Sequence, residues 1–327
     1  MILIKSIIIV FINLILYKYN YKIASILNIF DKPNNFLKKH SYSIPLTGGF
    51  FFLINFLVIV LMSNLNIYFE TNYKLYIFLV LCFFIFLVGF FDDKYDIYYI
   101  FRIAIFLIII LTLLYFDSDF LISKIIFESL NINYELSYFA SIIFTLFSIT
   151  IFVFSFNMLD GINLQSILYF FSLILFFIVK NVNISFFVFL IIPILFFLYF
   201  NNKNKIFLGD SGSYLISFFL SCLIIKNYNF NNFKIEEIFL LMILPGVDLI
   251  RVFFNRILIR KNPFAGDLNH IHHLVCSKYS ILKSNIMIQF LHLSAITSFF
   301  LFNNFLISLL IFFSLYCLLI FVVSVKK

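Results

Sequence analysis

A pair of adjacent aspartates at the end of one apolar stretch is the first candidate for chemistry. Asp92 and Asp93 close the stretch, and Asp96 follows one helical turn later. Adjacent like charges raise each other's pKa unless a cation offsets them. Paired carboxylates that face Mg²⁺ and a phosphate are one physical reason to keep such a pair. The alternative, a solvated helix end, is disfavoured by the cost of placing charge near lipid.

A second candidate segment surrounds a glycine with one carboxylate and two amides. It reads Asn157-Met-Leu-Asp160-Gly161-Ile-Asn163. Amides and carboxylates suit recognition of a uracil edge, a ribose or an amino sugar, and they can also contact a metal ion. The same residue types are equally typical of a turn between helices. The segment alone leaves both interpretations open.

A third segment, residues 208–213, places glycines and an aspartate at the start of another apolar stretch. Glycine lets the backbone approach a ligand closely, and a helix N-terminus offers free N–H groups that favour pyrophosphate. We expect Asp210 to hold Mg²⁺ that bridges phosphates. Asp210 or Ser211 would otherwise be an N-cap, and one geometry can serve both roles.

Basic and imidazole side chains follow the ninth apolar stretch. They include Arg256, His270, His272 and His273, with Asp267 between them. Arginine and histidine together can neutralise a diphosphate and the charge that develops on a leaving group. Zinc is an alternative ligand for His-x-His-His, although no cysteine motif or His-Glu-x-x-His pattern supports it. A basic loop resting on anionic lipid is the third interpretation.

Another basic cluster lies in residues 31–40, which contain Lys32 and His40. We expect Lys32 to contribute to binding the phosphate of a lipid. Surface lysines are more often orientation signals, so this assignment stands on the cluster and not on any single residue. The Pro45 and Gly48-Gly49 positions that follow are expected to bend the chain.

The composition places all of these segments in a membrane protein. Hydrophobic residues make up 64% and charged residues 12% of the 327 residues, and a soluble domain carries about twice that charge fraction. About 17 to 20 apolar residues cross a bilayer as a helix. Stretches near this length occupy residues 2–17, 44–63, 74–91, 99–116, 138–156, 164–180, 184–200, 213–226, 236–254, 285–301 and 304–324.

We therefore expect an all-α polytopic membrane protein of about eleven transmembrane helices, forming one domain over residues 1–327. The count falls to ten if the chain does not turn at Asn303-Asn304. The stretches do not alternate in polarity as barrel strands do. Residues 2–17 lack a small-residue cleavage site, which favours a retained first helix over a signal peptide. The four isolated cysteines support neither a disulfide framework nor a thiolate metal site.

The charges indicate an orientation. Most of the 23 basic residues follow the odd-numbered stretches, which puts those loops in the cytoplasm and the N-terminus outside. The aspartates named above and four of the five histidines fall on the same side. A phosphate-handling active site needs acids, histidines and bases on one membrane face. The net charge of +8 is explained by orientation, because its residues lie in short loops, and we expect no nucleic-acid partner.

Five motifs occur in one order between about residues 28 and 275. They are Asp-Lys-Pro-Asn…His-x-x-x-Ile-Pro-Leu-x-Gly-Gly, Gly-x-x-Asp-Asp-x-x-Asp, Phe-Asn-Met-x-Asp-Gly-Ile, Phe-Leu-Gly-Asp-x-Gly-Ser and Pro-Phe-x-x-Asp-x-x-His-Ile-His-His. Together they resemble the polyprenyl-phosphate N-acetylhexosamine-1-phosphate transferases of glycosyltransferase family 4. The first motif and the last are most similar to the undecaprenyl-phosphate N-acetylglucosamine-1-phosphate transferase branch.

The resemblance implies an enzyme of the bacterial inner membrane whose active site faces the cytoplasm. It would transfer HexNAc-1-phosphate from a UDP-HexNAc to undecaprenyl phosphate, release UMP, and start a lipid-linked cell-envelope glycan such as lipopolysaccharide O-antigen. Mg²⁺ is the implied cofactor, with Mn²⁺ as its alternative, and membrane lipid and a homodimer are the further partners. The peptidoglycan-branch phospho-N-acetylmuramoyl-pentapeptide transferase is the competing enzyme. A transporter is disfavoured, because the charged residues lie at the ends of spans.

The resemblance also implies roles for single residues. Asp92 and Asp93 match an aspartate pair tied to the lipid phosphate and its deprotonation, and Asp210 matches the Mg²⁺ ligand. Asp160 matches an acidic site residue, and the histidines match residues near the diphosphate or sugar. The resulting catalytic set is Asp92, Asp93, Asp160 and His272. The substrate-binding set is Lys32, Asn157, Asn163, Arg256, Asp267, His270 and His273.

One departure from the family pattern concerns the segment after Asp160. The family often continues Asp-Gly-x-Asp/Asn-Gly-Leu, whereas this chain continues with Gly161, Ile162, Asn163 and Leu164. Asn163 cannot act as a base, and the second glycine is missing. The departure affects the expected sugar or nucleotide preference more than the reaction class. Direct attack by the lipid phosphate and a covalent aspartyl-phosphate route both remain open.

Overall fold

Long helices run through nearly all of the chain. The computed structural model describes residues 2–33, 42–63, 69–262 and 268–324. The helices are α1 (Ile2–Leu27), α2 (Gly48–Met62), α3 (Asn72–Tyr95), α4 (Tyr99–Phe116), α5 (Tyr138–Leu159), α6 (Gln165–Val179), α7 (Ile184–Asn202), α8 (Gly209–Asn229), α9 (Ile235–Leu258), α10 (Ile271–Cys276), α11 (Ile281–Phe302) and α12 (Phe305–Ser324). Two short antiparallel hairpins pair β1 (Phe30–Asp31) with β2 (Ile44–Pro45) and β3 (Lys124–Phe127) with β4 (Ile132–Glu135).

The lengths and apolar composition of these helices confirm an all-α polytopic membrane protein. Within the described ranges, seven helices are long and apolar enough to cross a membrane, namely α1, α3, α4, α5, α7, α11 and α12. The shorter helices α2 and α6 are also apolar. Large apolar side chains on α12, such as Leu310 and Phe321, are exposed on the outside of the bundle. A helix that is apolar all round and exposed is suited to lipid rather than water.

Helix α8 is the centre of the bundle. Every residue from Ser211 to Asn227 is buried, and the helix packs against α2, α3 and α5. Its close contact with α3 requires Gly89, because a Cβ atom there would lie 2.5 Å from the Cα atom of Ser211. A small residue at a helix interface lets two backbones approach. Gly48, the first residue of α2, allows a similar approach between α2 and Leu208.

Helix α9 contains a proline whose effect is compensated by a neighbouring helix. Pro245 has no N–H, so the carbonyl of Leu241, four residues earlier, lacks its intrahelical donor. The hydroxyl of Tyr169 on α6 donates to that carbonyl at 2.9 Å. A buried carbonyl without a donor would cost free energy. The contact therefore joins α6 to α9 at the position where the proline interrupts the helix.

The end of the bundle that carries β3 and β4, here called the hairpin end, contains buried ion pairs. Lys226 is fully buried, lies 2.7 Å from Asp117, and has the rings of Phe69 and Phe120 at 4.1 and 4.5 Å. Asp117 also lies 3.1 Å from Lys74. Buried charge of this kind is tolerated when it is paired and hydrogen-bonded.

Glutamates in the loops on the outer side are expected from the sequence to be solvated, but two of them at the hairpin end are buried. Glu236 is buried and accepts hydrogen bonds from the backbone and hydroxyl of Ser129, both at 2.9 Å. Glu237 is buried and accepts from Lys180 at 2.8 Å. Both lie in the first turn of α9, where the helix dipole favours negative charge. They hold the start of α9 against its neighbours.

Candidate active site

A large acidic cleft lies at the end of the bundle opposite β3 and β4, here called the cleft end. Its volume is about 1310 Å³, above the usual range for small-ligand pockets. It is lined where α3 and α5 end, where α8 begins, and by parts of α10 and the segment before α8. The acidic lining residues are Asp31, Asp92, Asp93, Asp96, Asp160 and Asp210. The structure thus brings residues of all five motifs together around one cavity, since Leu46 of the first motif and His273 of the last also line it.

Asp92 is buried in the last turn of α3 and is held on both carboxylate oxygens. One oxygen accepts from the guanidinium of Arg102 and from the hydroxyl of Tyr214, the latter at 3.0 Å. The other accepts from the backbone N–H of Ile97 at 2.9 Å. Asp92 is therefore held in place by side chains from α4 and α8 and by the backbone that follows α3.

Asp93 caps the N-terminus of α8 from a different helix. Its two carboxylate oxygens accept from the backbone N–H groups of Asp210 at 2.8 Å and Ser211 at 3.0 Å. Those N–H groups have no partner inside their own helix. The expectation that Asp210 or Ser211 is the N-cap is wrong, because α8 begins at Gly209. The N–H groups expected to receive pyrophosphate are also already occupied by Asp93.

Asp210 presents its carboxylate to the cleft. Its side chain is 32% exposed, and one oxygen lies 4.0 Å from the guanidinium of Arg102. The described residues contain no group of three or more His, Cys, Asp or Glu side chains placed to hold one metal ion. Mg²⁺ needs no such cage, since it is usually held by one or two carboxylates together with waters and substrate phosphates. A single accessible carboxylate beside other acids therefore fits Mg²⁺ better than zinc.

The two amides of the second segment differ in surroundings. The Asn157 side chain donates to the Tyr214 hydroxyl at 3.3 Å and accepts from Ser213 at 2.7 Å, which connects it to α8. The Asn163 side chain donates to the Asn201 carbonyl at 3.2 Å, at the end of α7. Both asparagines line the cleft. Asn163 also fixes the turn after α5, as the turn interpretation predicts.

Asp160 directly follows α5 and lies beyond the membrane-spanning helix. Burial, opposed by the hydrogen bond from Ser166 and reinforced by the negative charge of Asp93, raises the pKa of this carboxyl to about 7. A carboxyl with this pKa can accept and release a proton near neutral pH. Of the cleft acids, Asp160 is therefore well suited to proton transfer.

The three histidines form a row that leads to the cleft. The Nδ1 atom of His270 lies 2.8 Å from Asp248, and His273 lines the cleft. Between them, His272 is 1% exposed, and neither of its ring nitrogens has a hydrogen-bond partner in the described part of the chain. Burial, together with the neighbouring His273, lowers the pKa of His272 well below its usual value. His272 is therefore a neutral imidazole behind the cleft wall.

Gly161 allows this row to approach the cleft. A Cβ atom at Gly161 would lie 2.1 Å from Nε2 of His272 and 2.8 Å from Nε2 of His273. Real Cβ atoms essentially never make contacts this short, so any larger residue here would displace the histidine rings. The glycine that follows Asp160 is therefore explained by its contact with the histidines of the last motif.

Four of the described site residues predicted from the sequence do not line the cleft, namely Lys32, Arg256, His270 and His272. Lys32 is exposed and is absent from the described cleft lining. Arg256 is buried in α9 and is likewise outside that lining. Asp267 lies outside the described residues. Sequence analysis missed Arg102 and Tyr214, which contact Asp92. Arg102 is the fourth residue of α4, and a charged residue at the start of an apolar span is a sequence signal for a site residue. Tyr214 lies in an apolar stretch, and nothing in the sequence marks it as a site residue.

The fold and cleft define a multi-pass membrane protein with an acidic site at the ends of its helices. Residues 75–228 match the model of glycosyl transferase family 4, and this range contains Asp92, Asp93, Asp160 and Asp210. The resemblance to that family predicted from the motifs is therefore confirmed.

Curated relatives extend the match beyond that range. The undecaprenyl-phosphate alpha-N-acetylglucosaminyl 1-phosphate transferase of Salmonella typhi is 28% identical over 275 residues, covering 78% of this chain and 71% of the relative. The protein of the same name from Thermotoga maritima is 25% identical over 277 residues, covering 81% of each chain. The Escherichia coli (strain K12) protein of that name is 28% identical over 276 residues. The chain is similar to these proteins over most of its length.

Proposed function

We propose that this chain transfers N-acetylglucosamine 1-phosphate from its UDP-sugar to undecaprenyl phosphate and releases UMP. The observation that carries the proposal is the meeting of separate motif segments at one cleft, where Asp92, Asp93, Asp160, Asp210 and His273 all lie. The relatives bear the name of this transferase, which supports the same substrates. A peptidoglycan-branch enzyme is not favoured by these relatives.

The reaction is a substitution at phosphorus. An oxygen of the lipid phosphate attacks the β-phosphorus of the UDP-sugar and forms a new P–O bond. The bond between that phosphorus and the bridging oxygen breaks, and UMP leaves with the bonding electrons. Phosphoryl transfer of this kind depends mainly on positioning and charge neutralisation. The cleft supplies both, through Asp210 with Arg102 4.0 Å from it, and through His273 in the cleft wall.

Four of the six cleft acids have assigned roles in this proposal. Asp92 fixes Arg102 and Tyr214, and Asp93 fixes the start of α8, so both position other groups. Asp160, whose pKa is raised to about 7, accepts the proton of the lipid phosphate. The second ionisation of a phosphate monoester lies near pH 6, so a base of this strength is sufficient. The proton role expected for Asp92 or Asp93 therefore moves to Asp160.

Asp210 is the residue proposed to hold Mg²⁺, with Mn²⁺ as the alternative ion. When bound, the ion would neutralise charge on the diphosphate oxygens and orient them for in-line attack. Asp93 sets the position of Asp210 through its backbone N–H. Arg102, 4.0 Å from the Asp210 carboxylate, adds positive charge at the same point. His272 remains neutral and supports His273 from behind.

We also propose a membrane arrangement for the bundle as one domain. All helices except the short α10 would span the bacterial inner membrane, which gives eleven spans with the N-terminus outside. The excess of lysine and arginine in the loops at the cleft end supports a cytoplasmic cleft. A cytoplasmic cleft would meet the UDP-sugar on the side where nucleotide sugars are made. The lipid phosphate would enter from the same leaflet.

The test is UMP release by the purified protein in nanodiscs with undecaprenyl phosphate, Mg²⁺ and a panel of UDP-HexNAc donors. We expect turnover with UDP-N-acetylglucosamine, and a fall of about 10²–10³-fold in Asp210→Asn. Asp119→Asn, an acid at the hairpin end, is the matched control and keeps full activity. Turnover only with UDP-N-acetylmuramoyl-pentapeptide would overturn the substrate. Full activity of Asp210→Asn would overturn the metal role.

A further inference from the structure

Asp248, on α9, is a buried carboxylate that does not line the cleft but organises the helix that does. It is 2% exposed. Its two oxygens lie 2.8 Å from Nδ1 of His270, 3.1 Å from the backbone nitrogen of Ile271, and 2.7 Å from Nη2 of Arg251. Each of these three groups can donate a hydrogen bond. Asp248 therefore binds the start of α10 from a neighbouring helix.

Helix α10 depends on this contact because it has little stability of its own. It spans six residues, and its N-cap residue His270 makes no side-chain capping bond. Helices this short are not stable in isolation. The N–H of Ile271, which has no partner inside the helix, is satisfied by Asp248. The position of α10 is thus set by α9.

The three histidine rings pack against one another, so the position of the first ring determines the position of the ring that lines the cleft. The rings of His270 and His272 are parallel within 3° with centroids 5.7 Å apart, and His272 and His273 have centroids 4.2 Å apart. His272 is packed against Gly161 on its other side. A shift of His270 therefore moves His272 and His273 together. Buried close-packed groups do not absorb such a shift locally.

Arg251 holds Asp248 in place and also contacts the last helix, α12. Its Nη2 atom also donates to the carbonyl of Asn269 at 2.6 Å, and its Nε atom donates to the hydroxyl of Tyr316 at 2.9 Å. Tyr316 lies on α12 and is 6% exposed. Arg251 therefore holds the segment that precedes α10, and Tyr316 of α12 holds Arg251.

We infer that Asp248, Arg251 and Tyr316 are positioning residues that set the placement of His272 and His273 against the diphosphate of the nucleotide sugar. The inference rests on the proposed function. We call the part of the cleft formed by His273 and backed by His272 the histidine wall. The three positioning residues act on this wall and not on the residues around Asp92. They therefore affect binding of the nucleotide sugar and leave binding of the lipid phosphate unchanged. A displacement of about 1 Å at such a group costs up to about 10²-fold in rate.

The experiment measures UMP release while each substrate is varied in turn. In Tyr316→Phe, KM for UDP-N-acetylglucosamine rises about threefold to tenfold, and KM for undecaprenyl phosphate stays within about twofold. Asp248→Asn has the same pattern with a larger rise, since the amide presents N–H groups to three donors. Asp248→Glu, which keeps two acceptor oxygens, recovers part of the loss. Tyr228→Phe, which loses hydroxyl contacts to Lys124 and Ile126 at the hairpin end, is the control and changes neither KM.

Hydrogen exchange over residues 270–277 provides a readout that needs no substrate. Exchange is faster in Tyr316→Phe and Asp248→Asn, and it is unchanged in Tyr228→Phe. Unchanged exchange and unchanged KM in Tyr316→Phe overturn the inference, and so does an equal rise in both KM values. Failure of the wild-type protein to release UMP would instead overturn the proposed function, while the exchange result still decides whether Asp248 and Tyr316 position α10.

Discussion

Buried carboxylates at the two ends of the bundle have different partners. At the hairpin end, Asp117 and Asp119 face Lys74 and Lys226, and aromatic rings cover Lys226. At the cleft end, Arg102 pairs with both Asp92 and Asp210, and Asp248, which does not line the cavity, pairs with Arg251. Acids and bases therefore balance at the first end, whereas acids are in excess around the cavity at the second.

This difference separates structural charge from functional charge. A balanced, enclosed ion pair neutralises itself and has no further capacity to bind an ion. An excess of carboxylates beside a cavity is unfavourable until a cation and its ligand compensate it, and such arrangements are concentrated at functional sites. Burial of charge alone would have marked both ends of this protein as candidate sites. The excess of carboxylates over basic groups, together with the cavity beside them, identifies the cleft end as the candidate functional site.

The largest expected effect tests the structural role of the hairpin end. In Lys226→Met, Asp117 and Asp119 lose a buried cation, and removing one partner of such a pair costs about 3–5 kcal/mol. We expect a lower free energy of unfolding, measured by denaturant titration in detergent. The folded fraction keeps the wild-type kcat/KM for UMP release, because the cleft is at the opposite end.

Two variants control for Lys226→Met. Lys124→Met removes a lysine whose ion pair with Glu135 is exposed, and exposed pairs contribute little, so we expect almost no loss of stability. The double variant Lys226→Met/Asp117→Asn recovers part of the loss, because one uncompensated charge is removed. A reduced kcat/KM in Lys226→Met at full folding would break the separation of roles between the two ends.

The second effect sharpens the same comparison at the cleft end. In Gly161→Ala, the new methyl group would lie 2.1 Å from Nε2 of buried His272, so α10 must move. We expect kcat/KM for UMP release to fall about 10²-fold. Gly246→Ala is the matched control, since a Cβ atom there has no neighbour within 4 Å. Helix α9 should gain up to about 1 kcal/mol from that alanine. Equal activities of the two variants would contradict the proposed histidine wall.

The helices were largely predictable because a membrane imposes a length and an apolar composition on each span. The predicted stretches coincide with helices, and the turn expected at Asn303-Asn304 separates α11 from α12. Helix ends were less predictable. Helix α8 begins at Gly209 and not at residue 213, because Asp93 satisfies its first N–H groups from another helix. Apolar pattern alone does not show such a cap.

The candidate site was predictable by residue type but not by partner. The sequence places Asp92, Asp160 and Asp210 at span ends, and the structure brings them to one cleft. The sequence does not reveal that the hydroxyl of Tyr214, inside an apolar span, donates a hydrogen bond to Asp92. The contact depends on how α3 packs against α8, which is a tertiary property. For the same reason, Glu236 was expected in solvent and is buried.

The smallest expected effect compares the pH dependence of one acid at each end. Burial raises the pKa of Asp160 from 3.8 to about 7. The folded protein then retains a proton that the unfolded chain releases above about pH 4, so Asp160 makes stability fall as pH rises from about 4 to 7. Asp117, also outside the spanning helices, is affected by burial too, but the hydrogen bond and charge of Lys226 lower its pKa overall. Asp117 therefore stabilises the fold above about pH 4 and loses that effect only in acid.

These opposite shifts give a direct test by thermal unfolding at pH 5 and pH 8, without ligand and with EDTA. In Asp160→Asn, the decrease in unfolding midpoint between pH 5 and pH 8 becomes smaller, because the titrating carboxyl is gone. In Asp117→Asn, the midpoint falls by a similar amount at both pH values, since that acid is ionised at both whether folded or unfolded. If Asp160→Asn left the pH difference unchanged, Asp160 would ionise normally. The proton-accepting role proposed for it would then lose its basis, while the balance of charges at the hairpin end would stand.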